Sequence, residues 1–131
     1  MTPSHEEALR FLDLAKADLE AFRVLAASVK VRPAIALFHA QQAVEKGLKS
    51  ALFVAGLEFR RTHDLFELAD RLREGGVDLP CPVESLAKLN PYAVLFRYDD
   101  QDVEPMPLDE ADLIAAEVLR WTSAFVESAA E

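Results

Sequence analysis

Between residues 37 and 55, Leu37, Ala40, Gln41, Val44, Leu48, Ala51, Leu52 and Ala55 recur at intervals of three and four. That spacing places them on one face of an α-helix and is incompatible with the period of two that a half-buried strand needs. Most of these side chains are small, so the face suits close packing against another helix. A second stripe runs beside it: His39, Gln42, Lys46, Lys49 and Phe53. Imidazole, amide and ammonium groups therefore flank a packing face. No strand-like alternation of useful length occurs elsewhere in the chain, so the sequence predicts an all-α fold.

The helix signals extend in both directions. Ser4 is expected to cap a first helix that runs to about Ala27, with Glu6 and Glu7 in its dipole-favoured first turn. Ala8, Leu12, Ala15, Leu19, Phe22 and Ala26 mark its inward face. Pro33 suits the start of the second helix and Gly56 its end. Thr62 is expected to cap a shorter third helix, stopped by Gly75 and Gly76. A fourth apolar pattern from Val83 to Phe96 contains Pro91, which predicts an interruption with Asn90 as the cap of a new turn. Asp109 then caps a last helix with Ile114, Val118, Trp121 and Phe125 inward. The predicted architecture is an up-and-down helical bundle of four main helices in a single domain, residues 1–131, with the short third helix crossing one end.

Charge sets limits on partners. The net charge is −9, but residues 1–98 hold 13 acidic and 13 basic side chains, and residues 99–131 hold ten acids against Arg120 alone. The last third would repel phosphates, which argues against general nucleic-acid binding and leaves room for a local basic patch earlier in the chain. One cysteine, Cys81, excludes an internal disulfide and fits a reducing compartment. No apolar run approaches the ~18–20 residues of a membrane span and the N-terminus lacks a secretory pattern, so the expected location is cytoplasmic, away from membranes.

Candidate ligand-binding residues cluster in the first two thirds. His39, Gln42, Lys46 and Lys49 either coat a solvated face, with Glu45 pairing Lys49 at helical spacing, or line a groove that meets phosphate and base edges. Arg60 and Arg61 precede a helix start, where fixed cations and free backbone N–H groups together favour an anion. His63 adds the side chain best suited to proton exchange near neutral pH. The spacing of histidines and acids matches no metal motif, and no glycine-rich phosphate loop is present, so neither a metal nor a cofactor is expected.

The runs FHAQQAVEKGLK, RRTHDL and LNPYAVLFRYDD together resemble the HEPN superfamily of small helical proteins, over roughly Ala8 to Phe125. The resemblance implies nucleotide- or RNA-associated function. In the family's ribonuclease branches the signature is an arginine, four to six residues, then a histidine. Here the run after Arg97, through Gln101, Asp102 and Val103, holds no histidine, and none occurs anywhere after His63. Aspartates beside a phosphate are poor substitutes, being anionic at neutral pH. Arg97 and Tyr98 instead match the arginine–tyrosine pair of small stand-alone members and become candidate ligand contacts.

Three readings follow. The first is a binding module that homodimerises and works with a minimal nucleotidyltransferase partner in a toxin–antitoxin-type pair, a partnership the resemblance implies. The second is a metal-independent ribonuclease using Arg97 and His63. The third is a helical scaffold with no ligand. Phe11, Leu14 and Leu25 lie beside the first helix's core stripe and are expected to stay exposed in a monomer, which also favours a homodimer.

Overall fold

The structure is a computed structural model that describes residues 3–94 and 104–129. Among these residues five α-helices follow in order: α1 (Pro3–Ala26), α2 (Pro33–Ala55), α3 (Leu65–Glu74), α4 (Val83–Ala87) and α5 (Leu108–Ala129), with a 3-10 turn at Asn90–Ala93. No strand occurs among the described residues, as the periodicity predicts.

α1 and α2 pair antiparallel. Ser50 Oγ near the end of α2 donates to the Ala8 carbonyl at 2.6 Å, and Phe53 stacks on Phe11 with centroids 5.5 Å apart. Asp18, further along α1, bonds His39 and Lys46 of α2. The small stripe lets α5 approach α2 as well. A Cβ on Gly47 would lie 3.3–3.4 Å from Val118, Leu119 and Thr122. Thr122 Oγ1 uses that closeness to donate to the Gly47 carbonyl at 3.2 Å. The α1–α5 seam is closed on its outside by Arg23, whose guanidinium meets both oxygens of Asp112 at 3.0 Å. The buried core draws on every helix, from Phe22 through Leu37, Leu48, Leu65 and Leu86 to Val118.

The predicted helix ends hold where backbone geometry dictated them. Pro33 opens α2, and Gly56 closes it in the left-handed region at φ 69° while the Leu57 N–H returns to the Leu52 carbonyl. Gly76, at φ 85°, follows α3 in the same way. Other ends differ. α1 begins at Pro3, ahead of Ser4. α3 begins at Leu65, and its cap is Asp64, whose Oδ1 accepts from the Phe66 N–H; Thr62 accepts instead from the Asp64 N–H. α5 starts at Leu108, so Asp109 lies inside its first turn.

The fourth helix is cut to five residues, because Pro91 admits only a 3-10 turn after Leu89. Asn90 does not cap that turn. Its side chain reaches back to α3, accepting from the Leu65 N–H at 2.8 Å and donating to Asp64 Oδ1 at 2.9 Å. On α5, Ile114 and Val118 are buried as expected, but Trp121 and Phe125 are only partly so. They stack on each other at 5.7 Å while the Trp121 indole N–H donates to the Asp78 carbonyl. An indole with a polar edge stays at the rim, where that edge finds a partner. Leu14 is exposed, whereas Phe11 and Leu25 are partly covered, Phe11 by its stack on Phe53.

Candidate functional site

Two of the buried polar residues of α2 are Gln41 and Glu45. With Lys49 they form a ladder at i, i+4 and i+8, on one side of the helix. Gln41 Nε2 donates to Glu45 Oε1 at 3.3 Å and to the carbonyl of His63 at 3.1 Å. Glu45 Oε2 receives Lys49 Nζ at 3.0 Å, and Oε1 meets His63 Nδ1 at 2.9 Å. The loop that enters α3 is thereby held to α2 through both the backbone and the ring of one residue. The Glu45 side chain is 4% exposed and the His63 side chain 69%.

A second carboxylate lies across the α1–α2 seam. Asp18 Oδ1 meets His39 Nδ1 at 3.0 Å and Oδ2 meets Lys46 Nζ at 2.5 Å. The carboxylate is 13% exposed, the histidine 28% and the lysine 24%.

The polar stripe is therefore already engaged: His39 and Lys46 by Asp18, Lys49 by Glu45, and Gln42 by donating to Gln41 Oε1 at 2.7 Å. The i,i+4 pairing of Glu45 with Lys49 is as the sequence indicated, although both groups are largely buried and do not coat a solvated face. Arg60 is turned onto Glu67 of α3 at 2.8 Å, a contact that raises the guanidinium's affinity for its proton. Arg61 is exposed and makes no side-chain hydrogen bond or ion pair among the described residues.

The first turn of α3 is also less available to an anion than the sequence implied. Its Leu65 and Phe66 N–H groups are taken by Asn90 and Asp64. Arg61, two residues before the exposed ring of His63, is the neighbour of Arg60 that has no ion pair among the described residues. Arg97, Tyr98 and the Gln101–Val103 positions lie outside the described residues.

Sequence reasoning missed Asp18, which nothing in its neighbourhood marks. It also read Gln41 as part of the packing face and Glu45 only as a partner of Lys49. Gln41, a hydrogen-bonding residue on an otherwise apolar inward stripe, was the available signal, since buried polar groups require partners.

Cys81 is half-buried, and burial, with the Glu117 carboxylate adding to it, pushes its thiol up to about 11. It is a neutral packing group at physiological pH. Among the described residues no helix is long and apolar enough to cross a membrane.

This bundle, with its polar α2 and the RRTHDL entry to α3, is that of a known class. The HEPN domain family model matches residues 5–129, and the chain belongs to that family. No curated protein and no solved structure matches the chain.

Proposed function

We propose that this chain is a nucleotide- or RNA-associated HEPN module of the cytoplasm, acting as a homodimer with a minimal nucleotidyltransferase in a toxin–antitoxin-type pair. The observation that carries the ligand half of this reading is the loop before α3. There the guanidinium of Arg61, uncommitted among the described residues, and the outward ring of His63 stand two residues apart, on a backbone pinned to α2. A cation for phosphate beside a ring that hydrogen-bonds or stacks is the usual equipment for a nucleotide. Family membership supports the nucleotidyltransferase partner. Exposed Leu14, Val24 and Leu113 support self-association, since contiguous packing on a second copy would cover them.

The test is to titrate ATP and short RNAs against wild type, Arg61→Ala and Arg97→Ala. Loss of a charge-assisted phosphate contact, worth ~1.5–3 kcal/mol, lowers affinity roughly ten- to a hundredfold in either variant. Equal affinity for all three proteins overturns the ligand reading. Light scattering at micromolar concentration that returns the monomer mass of 14.6 kDa overturns the homodimer.

The Glu45–His63 bond favours one second reading, a metal-independent ribonuclease with Arg97 as phosphate ligand and His63 as proton carrier. An oriented imidazole is what such a mechanism needs, and losing the acid–base group costs ~10²–10⁴-fold in rate. Under the first reading the purified protein leaves RNA intact. Cleavage abolished by both Arg97→Ala and His63→Ala would establish the second.

A further inference from the structure

The buried carboxylate on α2 determines which nitrogen of His63 carries the proton. Glu45 Oε2 receives an ammonium and Oε1 receives the Gln41 amide N–H, so the group is surrounded by donors and acts only as an acceptor. Its 2.9 Å contact with His63 therefore requires a proton on Nδ1. In the neutral ring the other nitrogen, Nε2, then carries the lone pair. That nitrogen has no partner among the described residues, and the side chain is 69% exposed.

A carboxylate 4% exposed is an expensive way to anchor a loop. An apolar residue of similar size at such a position is often neutral or stabilising. The Gln41 bond to the His63 carbonyl already fixes the backbone at this point, so the Glu45 bond adds control of the ring.

We infer that Glu45 is a positioning residue, which locks His63 as the Nδ1–H tautomer and presents Nε2 to solvent as an acceptor for a hydroxyl-bearing ligand. This rests on the nucleotide reading only for the identity of that ligand, a ribose hydroxyl with its phosphate on Arg61. The tautomer itself is independent of any ligand. A neutral Nε2 with a lone pair accepts from an O–H and repels a bare phosphate oxygen, so ring and guanidinium have different tasks. Protonation at Nε2 would turn the same atom into a donor, with Nδ1 still held by Glu45.

The experiment is nitrogen-15 NMR of the imidazoles in full-length protein at a pH where the rings are neutral. In wild type the His63 signals fall in the Nδ1–H pattern, and the Nδ1 proton is far downfield, as expected for a bond to a carboxylate. Glu45→Met keeps the approximate volume and removes the acceptor, and the ring reverts to the Nε2–H form that predominates in water. Glu45→Gln keeps the shape without the charge, so it serves if the methionine variant does not fold; there the Nδ1 proton moves upfield. Lys49→Met, which leaves the dyad in place, retains the Nδ1–H pattern. An Nε2–H pattern in wild type overturns the inference. So does an Nδ1–H pattern unchanged in Glu45→Met, or a downfield proton unmoved in Glu45→Gln. Failure of RNA or ATP to bind leaves these spectra as they are and bears on the nucleotide reading alone.

Discussion

Two sites on α2 are assembled from the same three parts, a carboxylate, an imidazole bonded through Nδ1 and a lysine, yet they are oriented oppositely. In one, α2 supplies His39 and Lys46 and α1 supplies Asp18, so all three groups are gathered into the seam between two long helices. In the other, α2 supplies the largely buried Glu45 and Lys49, and the imidazole comes from the loop ahead of α3. The first histidine is 28% exposed and the second 69%. One arrangement joins helices. The other uses the core to aim a ring outward. Identical chemistry does different work according to which member of the trio is left facing water.

The largest expected difference between them is energetic. Glu45→Ala leaves Lys49, at 12% exposure, without its partner and removes one of the two acceptors of the Gln41 amide. Breaking a buried pair from one side costs about 3–5 kcal/mol, to be read as a lower denaturant midpoint.

A chemical reporter distant from both sites follows in size. Cys81 has its thiol raised from 9.0 to about 11, so at pH 8 the native thiolate is about a hundredfold scarcer than in the unfolded chain. Iodoacetamide should label wild type slowly at pH 8, with a rate that climbs as the pH approaches that value. The Glu45→Ala protein, which opens more often, should label faster. Wild type labelled at the unfolded rate would refute the burial of the thiol.

Asp18→Ala should come last, at about 1.5–3 kcal/mol, the worth of hydrogen bonds to a charged group. Its orphaned partners, His39 and Lys46, are 28% and 24% exposed and recover water as Lys49 does not. Equal losses for the two carboxylate variants would erase the contrast between the sites.

How much of this was legible beforehand depended on the range of the forces involved. Helix periodicity and the backbone demands of Pro33, Gly56 and Gly76 are local, and they fixed the long helices correctly. Side-chain bonds between distant segments leave no such trace. Thr62 looked like a cap because it precedes the apolar run, but Asp64 is closer to it, and Asn90, far along the chain, completes the job. The cationic stripe was visible, and so was the Glu45–Lys49 pair at helical spacing. Asp18 as partner of His39 and Lys46, and Glu45 as partner of His63, emerged only when α1 and the α3 loop were laid against α2. Arg61 was identified with Arg60 as a pair, yet only contact with Glu67 separates them. The arginine–tyrosine motif at Arg97 and Tyr98 lies outside the described residues, so its part in the site rests on the resemblance.

The reach of Asn90 back to α3 has a consequence for how this end of the molecule moves. One amide side chain satisfies the first turn of α3 and binds that helix's cap, while its own backbone begins the 3-10 turn. Neither segment can loosen without exposing unpaired groups in the other, so the two should open and close as one cooperative unit although Leu65 and Asn90 are 25 positions apart in sequence. In a hydrogen-exchange experiment the amides of Leu65 and Phe66 would then share one opening free energy with those around Tyr92, and Asn90→Ala would split the unit in two. The loop that carries His63 adjoins this unit, so the stiffness of the presented ring is set partly by a residue that never touches it.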